Sequence, residues 1–85
     1  MSTPIATIPK NSREAIRFSL ETFKGCKFAD LRLYIQEDGQ AAIATRKGLT
    51  VPPALWPQFK AALSKLEEAM LQAAWLDPED LETER

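Results

Sequence analysis

Cations and aromatic rings interleave in the first half of this 85-residue chain, and their spacing carries most of its chemical content. On an alternating strand that begins at Glu14, Arg17 and Phe23 share one face. On the next, Arg32 and Tyr34 point outward with Phe28 beside them. Guanidinium groups among exposed rings suit a single nucleic-acid strand. The cations track phosphates, and the rings stack on bases of any identity. Asp30 lies on the same face and opposes a continuous phosphate track. The pattern also fits an ordinary solvated sheet face, or one covered by a partner.

Composition excludes several other chemistries. The chain has no histidine and one cysteine, Cys26. A Cys/His zinc site, an internal disulfide and a histidine-assisted nucleophile are therefore out of reach. Carboxylates are plentiful, but no motif sets a pair of them beside a pocket. No metal site is expected, and an enzyme is the least expected reading. Cys26 sits at a turn, with nothing in the sequence to activate it. No apolar run approaches the roughly 18 residues that span a bilayer. The first nine residues lack the pattern of a secretory signal. The expected compartment is reducing and cytoplasmic, nucleoid-associated in a bacterium, with no membrane partner.

The net charge of -1 conceals a division. Residues 1–51 carry eight basic and five acidic side chains, and residues 52–85 carry three basic and seven acidic ones. A positive sheet and a negative helix with its tail give one chain two electrostatic faces.

These side chains need a scaffold. Residues 1–12, with two prolines and small polar residues, read as a flexible arm. Ile16, Phe18 and Leu20 then alternate with Arg17, Ser19 and Glu21, as in a half-buried strand. Lys24-Gly25 makes a turn. A second strand sets Ala29, Leu31, Leu33 and Ile35 against Phe28, Asp30, Arg32, Tyr34 and Gln36. Glu37-Asp38-Gly39 signals a hairpin. Ala41 to Thr45 reads as a weak third strand, Arg46-Lys47-Gly48 as a turn, and Leu49-Thr50-Val51 as a short fourth strand. Pro52-Pro53 closes the sheet, and the period becomes helical through Leu55, Phe59, Leu63, Leu66, Met70 and Ala73. Pro57 calls for a separate turn at 53–56, then a helix with Pro57 in its first turn. Asp77-Pro78 should stop that helix and cap one further turn.

The expected class is α+β: a four-stranded antiparallel meander followed by one long C-terminal helix, β-β-β-β-α. The helix covers one face of the sheet, and the other is open or covered by another subunit. The domain runs over 13–76, and 77–85 form an acidic tail whose default role is solubility. A domain this small, with neither metal nor disulfide, is expected to self-associate. Trp56, Phe59, Leu63, Leu66 and Met70 are the candidate core or homodimer anchors. Leu71, Trp75 and Leu76 suggest a second apolar edge.

Read in order, Phe23-Lys24-Gly25, Asp30-Leu31-Arg32 with Tyr34, Arg46-Lys47-Gly48-Leu49-Thr50, then Pro53 and Trp56 resemble the transcriptional coactivator family of positive cofactor four. The resemblance spans about residues 14–71, and the short chain resembles the family's bacterial and phage forms. It implies a curved antiparallel sheet, a homodimer built through the helices, and binding to single-stranded DNA or locally unwound duplex with little sequence preference. It implies a transcription or genome-maintenance accessory role beside the transcription machinery, with no catalysis and no cofactor. Carried over by position, its binding surface points to Phe23, Lys24, Arg32, Tyr34, Arg46 and Lys47; alternation and proximity add Arg17 and Lys27. Ile35 stands where relatives commonly have tryptophan, which removes a stacking platform, and Cys26 stands where many have lysine. RNA binding, or a protein-interaction module of the same fold, are the alternatives.

Overall fold

The computed structural model describes residues 1–82. Four strands form one antiparallel sheet in chain order: β1 (Ser2–Pro9), β2 (Glu14–Phe23), β3 (Cys26–Ile35) and β4 (Ile43–Val51). A 3-10 turn, Pro53–Leu55, precedes α1 (Trp56–Gln72), and a short α2 (Pro78–Glu82) follows. The sheet, Met1–Ala54, and the helical segment from Leu55 are separate compact units.

The strand count is as expected, but the strands are a different set. The N-terminal arm is an ordered edge strand. β1 pairs with β2 from Ser2 opposite Glu21 to Pro9 opposite Ala15, with a bulge between Pro4 and Ala6. Met1 extends the pairing: its ammonium donates to the Thr22 carbonyl at 3.0 Å, and Thr22 N–H donates back at 2.9 Å. Proline lacks a ladder donor, so it is tolerated at an edge and blunts further pairing there. The composition that suggests a loose arm is therefore that of a protected edge.

The second difference lies at Arg46-Lys47-Gly48, which is no turn. β4 runs through it as one strand. Arg32 pairs with Gly48 and Tyr34 with Ala44, so Thr45, Arg46 and Lys47 bulge out opposite Leu33. The Thr45 hydroxyl anchors the bulge, donating to the Leu33 carbonyl at 2.9 Å and accepting from Lys47 N–H at 3.1 Å. Extra residues interrupt the period of two, and that interruption mimics a turn.

Directly opposed residues share a face. One face carries Ile16, Phe18 and Leu20 of β2 beside Leu33, Leu31 and Ala29 of β3, with Leu49 and Val51 of β4. Of the apolar side chains only Val51 is buried among the described residues, while Leu20 and Leu49 stay 57% and 47% exposed. The opposite face is polar and holds the two buried polar residues, Ser19 and Asp30.

In α1, Pro57 occupies the first turn as expected, and Leu55 caps without a side-chain bond. The helix stops at Gln72, five residues before Asp77. Ala74 takes a left-handed φ of 62°, Ala74 N–H donates to the Leu71 carbonyl, and Trp75 N–H donates to that of Met70. This is a Schellman ending with alanine where glycine is usual. Sequence rules look for glycine, so the ending is silent in the sequence. The further turn after Asp77 is present as α2, and residues 83–85 of the acidic tail lie outside the described residues.

Candidate nucleic-acid interface

The β2–β3 register builds the polar face. Arg17 lies opposite Arg32, Ala15 opposite Tyr34, Ser19 opposite Asp30 and Glu21 opposite Phe28. Arg17, Arg32 and Tyr34 therefore form one contiguous group. Phe23 has the same parity and sits at the hairpin end, 64% exposed. The hairpin turns through Lys24 and Gly25, both left-handed (φ 51° and 82°), which matches the right-handed twist of the strands. The turn places Lys24 Nζ 5.4 Å from the centroid of the Phe23 ring. Arg46 and Lys47 are exposed on the bulge. Lys27 lies opposite Thr22 and shares the parity of Ala29, so it falls on the apolar side, apart from the rest.

Arg32 has a partner already. Its Nε and Nη2 donate to the two carboxylate oxygens of Asp30 at 3.1 and 2.9 Å, and its Nη1 donates to the Thr45 carbonyl at 3.1 Å. Such a bidentate pair is strong and directional. The bond to Asp30 holds the guanidinium above its ordinary pKa, against the opposing effect of desolvation. A raised pKa stabilises the fold below the unfolded value and loses that contribution only as pH rises through the folded one. The pair therefore contributes constantly across the neutral range. Arg32 thus neutralises Asp30 and ties β3 to the bulge that displays Arg46 and Lys47, with two of its five N–H groups left over.

Asp30→Ala would leave a guanidinium with 23% side-chain exposure unpaired. We expect a loss of about 2 kcal/mol in urea unfolding, less than the roughly 3–5 kcal/mol of a fully buried pair because water still reaches Arg32. An unchanged midpoint would show that the pair does not hold the bulge.

Arg17 differs. Its guanidinium carbon lies 4.0 Å from the Tyr34 ring centroid. No hydrogen bond or ion pair of its side chain is found among the described residues, and its Nε is buried without an acceptor. The other acid of this face, Glu21, accepts from the hydroxyls of Ser2 at 2.6 Å and Ser19 at 3.1 Å. A depression of about 290 Å³ opens beside Arg17 and Tyr34, walled by Pro9, Arg13, Ala15 and Ala42. Asn11 shapes this end: its side-chain oxygen accepts from the backbone N–H of Arg13 and Glu14 at 2.9 and 2.8 Å. Arg13 and the structural roles of Thr45 and Gly48 are absent from the sequence reading. Arg13 lies one residue before both the expected strand and β2, which begin at Glu14, so the period of two does not reach it. No group of acidic or thiol side chains that could hold a metal occurs among the described residues. No described helix is long and apolar enough to cross a membrane.

A sheet-and-helix α+β chain, with cations and rings gathered on one sheet face, defines the class. The sequence model of Transcriptional Coactivator p15 (PC4) matches residues 10–62, and the chain belongs to that family of DNA-binding coactivator homologues. Among solved structures it is similar to a PC4 homolog from Burkholderia pseudomallei. The tetragonal form shows 25% identity and a TM-score of 0.73, covering 79% of this chain and 98% of that one. The orthorhombic form shows 26% identity and a TM-score of 0.72, covering 78% and 89%. It also shares its fold with the bacteriophage T5 homolog of the eukaryotic coactivator PC4, which is implicated in recombination-dependent DNA replication. That likeness has 19% identity and a TM-score of 0.64, over 95% of this chain and 96% of that one. No curated protein matches the sequence.

Proposed function

We propose that this chain binds single-stranded DNA with little sequence preference, as a homodimer, and serves as an accessory factor in transcription or genome maintenance. The observation that carries the reading is the grouping of an exposed ring, a half-buried ring and unpaired cations around one sheet face. Phe23 with Lys24 stands at the hairpin, Arg17 with Tyr34 mid-face, and Arg46 and Lys47 on the adjoining bulge. Stacking supplies affinity for any base, and the cations supply the salt-dependent part. The family membership supports the same reading. For the homodimer, support comes from α1, where none of the residues is buried. Its apolar positions Trp56, Phe59, Leu63, Leu66 and Met70 recur at steps of three and four, the spacing of a helix-pairing seam.

The test is fluorescence anisotropy with a mixed-sequence single strand of about 20 nucleotides, long enough to cross an aromatic-and-basic groove. Matched duplex and RNA run alongside over a salt series. Lys47→Ala should lower the slope of log affinity against log salt by about one counterion. Phe23→Ala should weaken binding by about tenfold and leave that slope alone. Arg32→Ala should act through stability instead, because Asp30 already offsets its charge. Absence of single-strand binding at low salt would overturn the reading in favour of a protein-interaction module. Preference for RNA would move it within the binding class.

A further inference from the structure

The Arg17–Tyr34 pair is poorly placed for the two roles that each residue would take separately. With its guanidinium carbon 4.0 Å from the ring centroid, Arg17 closes that face of Tyr34 to any base. Its own Nε is buried without an acceptor, a condition that carries a cost and calls for compensation. What the pair does offer is a second flat surface. A guanidinium is planar, stacks on aromatic faces and is weakly hydrated, and unpaired bases stack on it as they do on rings. The pair lines the depression of about 290 Å³, whose remaining walls include the apolar Pro9, Ala15 and Ala42, the cation Arg13 and the carboxylate Glu14, which accepts from Asn11 Nδ2 at 2.7 Å. Arg17 stands six residues from Phe23 along β2, about 20 Å away at ordinary strand rise.

We infer that the Arg17 guanidinium, carried on Tyr34, is itself a stacking platform. One unpaired base lies in the depression against it, in a three-layer stack of base, Arg17 and Tyr34, and Arg13 meets an adjoining phosphate. This inference rests on the single-strand reading and gives that surface a second, sequence-tolerant subsite remote from Phe23.

Two substitutions separate plane from charge. Arg17→Lys keeps the charge and removes the plane. Its affinity for the mixed-sequence single strand should fall about tenfold with the salt slope unchanged. Arg17→Tyr keeps a plane and removes the charge. It should retain most of the affinity at moderate salt while its slope drops by about one counterion. Thermal melts check that both variants fold. Lysine binding like wild type, or equal losses in the two variants, overturns the platform. Failure of the wild-type chain to bind any single strand is a separate result and sinks the underlying reading instead.

Discussion

Gly48→Ala is expected to destabilise the sheet by about 3 kcal/mol, near the upper end of what overpacking usually does. A Cβ at this position would stand 2.5 Å from the Leu31 carbonyl oxygen and 2.9 Å from the Arg32 Cα. Both are backbone atoms of the paired strand, so no flexible side-chain end can swing aside. It would also stand 3.2 Å from Arg32 Cζ. Relief requires β3 and β4 to part where Arg32 reaches the Thr45 carbonyl, and the Asp30 pair is strained with it. Gly25 and Gly39 form the contrast: both turn through positive φ, but an added Cβ would meet nothing within 4 Å. Urea unfolding at one fixed protein concentration reads the effect. A wild-type midpoint for Gly48→Ala would mean that the bulge shifts freely and that Gly48 is no constraint. Loss of stability with intact Lys47-dependent salt sensitivity would mean that the bulge displays its cations without help from Arg32.

What the sequence disclosed follows from where a local pattern equals the structural cause. The alternation through Ile16, Phe18 and Leu20 and through Leu31 and Leu33 is itself the division into two faces. The strands β2 and β3 and the shared face of Arg17, Arg32 and Tyr34 were therefore readable. So was Pro57 in the first turn of α1, because proline has only one favourable place there. The misses share a different origin. β1 is wholly exposed, so it has no apolar alternation to display, and its prolines act by preventing pairing on the outer edge. The bulge at Thr45, Arg46 and Lys47 breaks the very period that identifies a strand. Nearness in sequence groups Lys27 with the cations, whereas a period of two sends it to the far side. The Arg32–Asp30 pair was visible as an i, i+2 spacing, but its consequence was not. Knowing that Arg32 is engaged requires the Thr45 carbonyl, thirteen residues away. The mid-face is therefore less cationic than its residue types suggest, and the unpaired cations stand at Arg17 and around the margin.

The second large effect is expected in the helix. Replacing Leu63 and Leu66 together by aspartate should abolish the proposed homodimer. In α1 these two side chains are 47% and 57% exposed, and the rings of Phe59 and Trp56, one and two turns before Leu63 on the same stripe, stack at 5.6 Å between centroids. A stripe of this kind on a helix without a buried residue is a surface that water tolerates poorly. Fully burying an exposed leucine contributes about 1.5–3 kcal/mol; these are already half covered, so each loses about half of that, and a symmetric pair of helices would lose four such contributions. Even the lower end, about 3 kcal/mol, raises a dissociation constant by about a hundredfold. Sedimentation should therefore find two chains per particle for the wild type and one for the double variant. Glu67→Ala, a neighbouring exposed position off the stripe, should leave the dimer intact. Single-strand affinity should fall with dissociation, because two linked sheets engage one strand at a high effective concentration and one sheet does not. A wild-type chain that sediments alone, or a double variant that stays paired, would remove the helix from the assembly. The apolar sheet face, with Leu20 and Leu49 exposed, would then be the surface to test next.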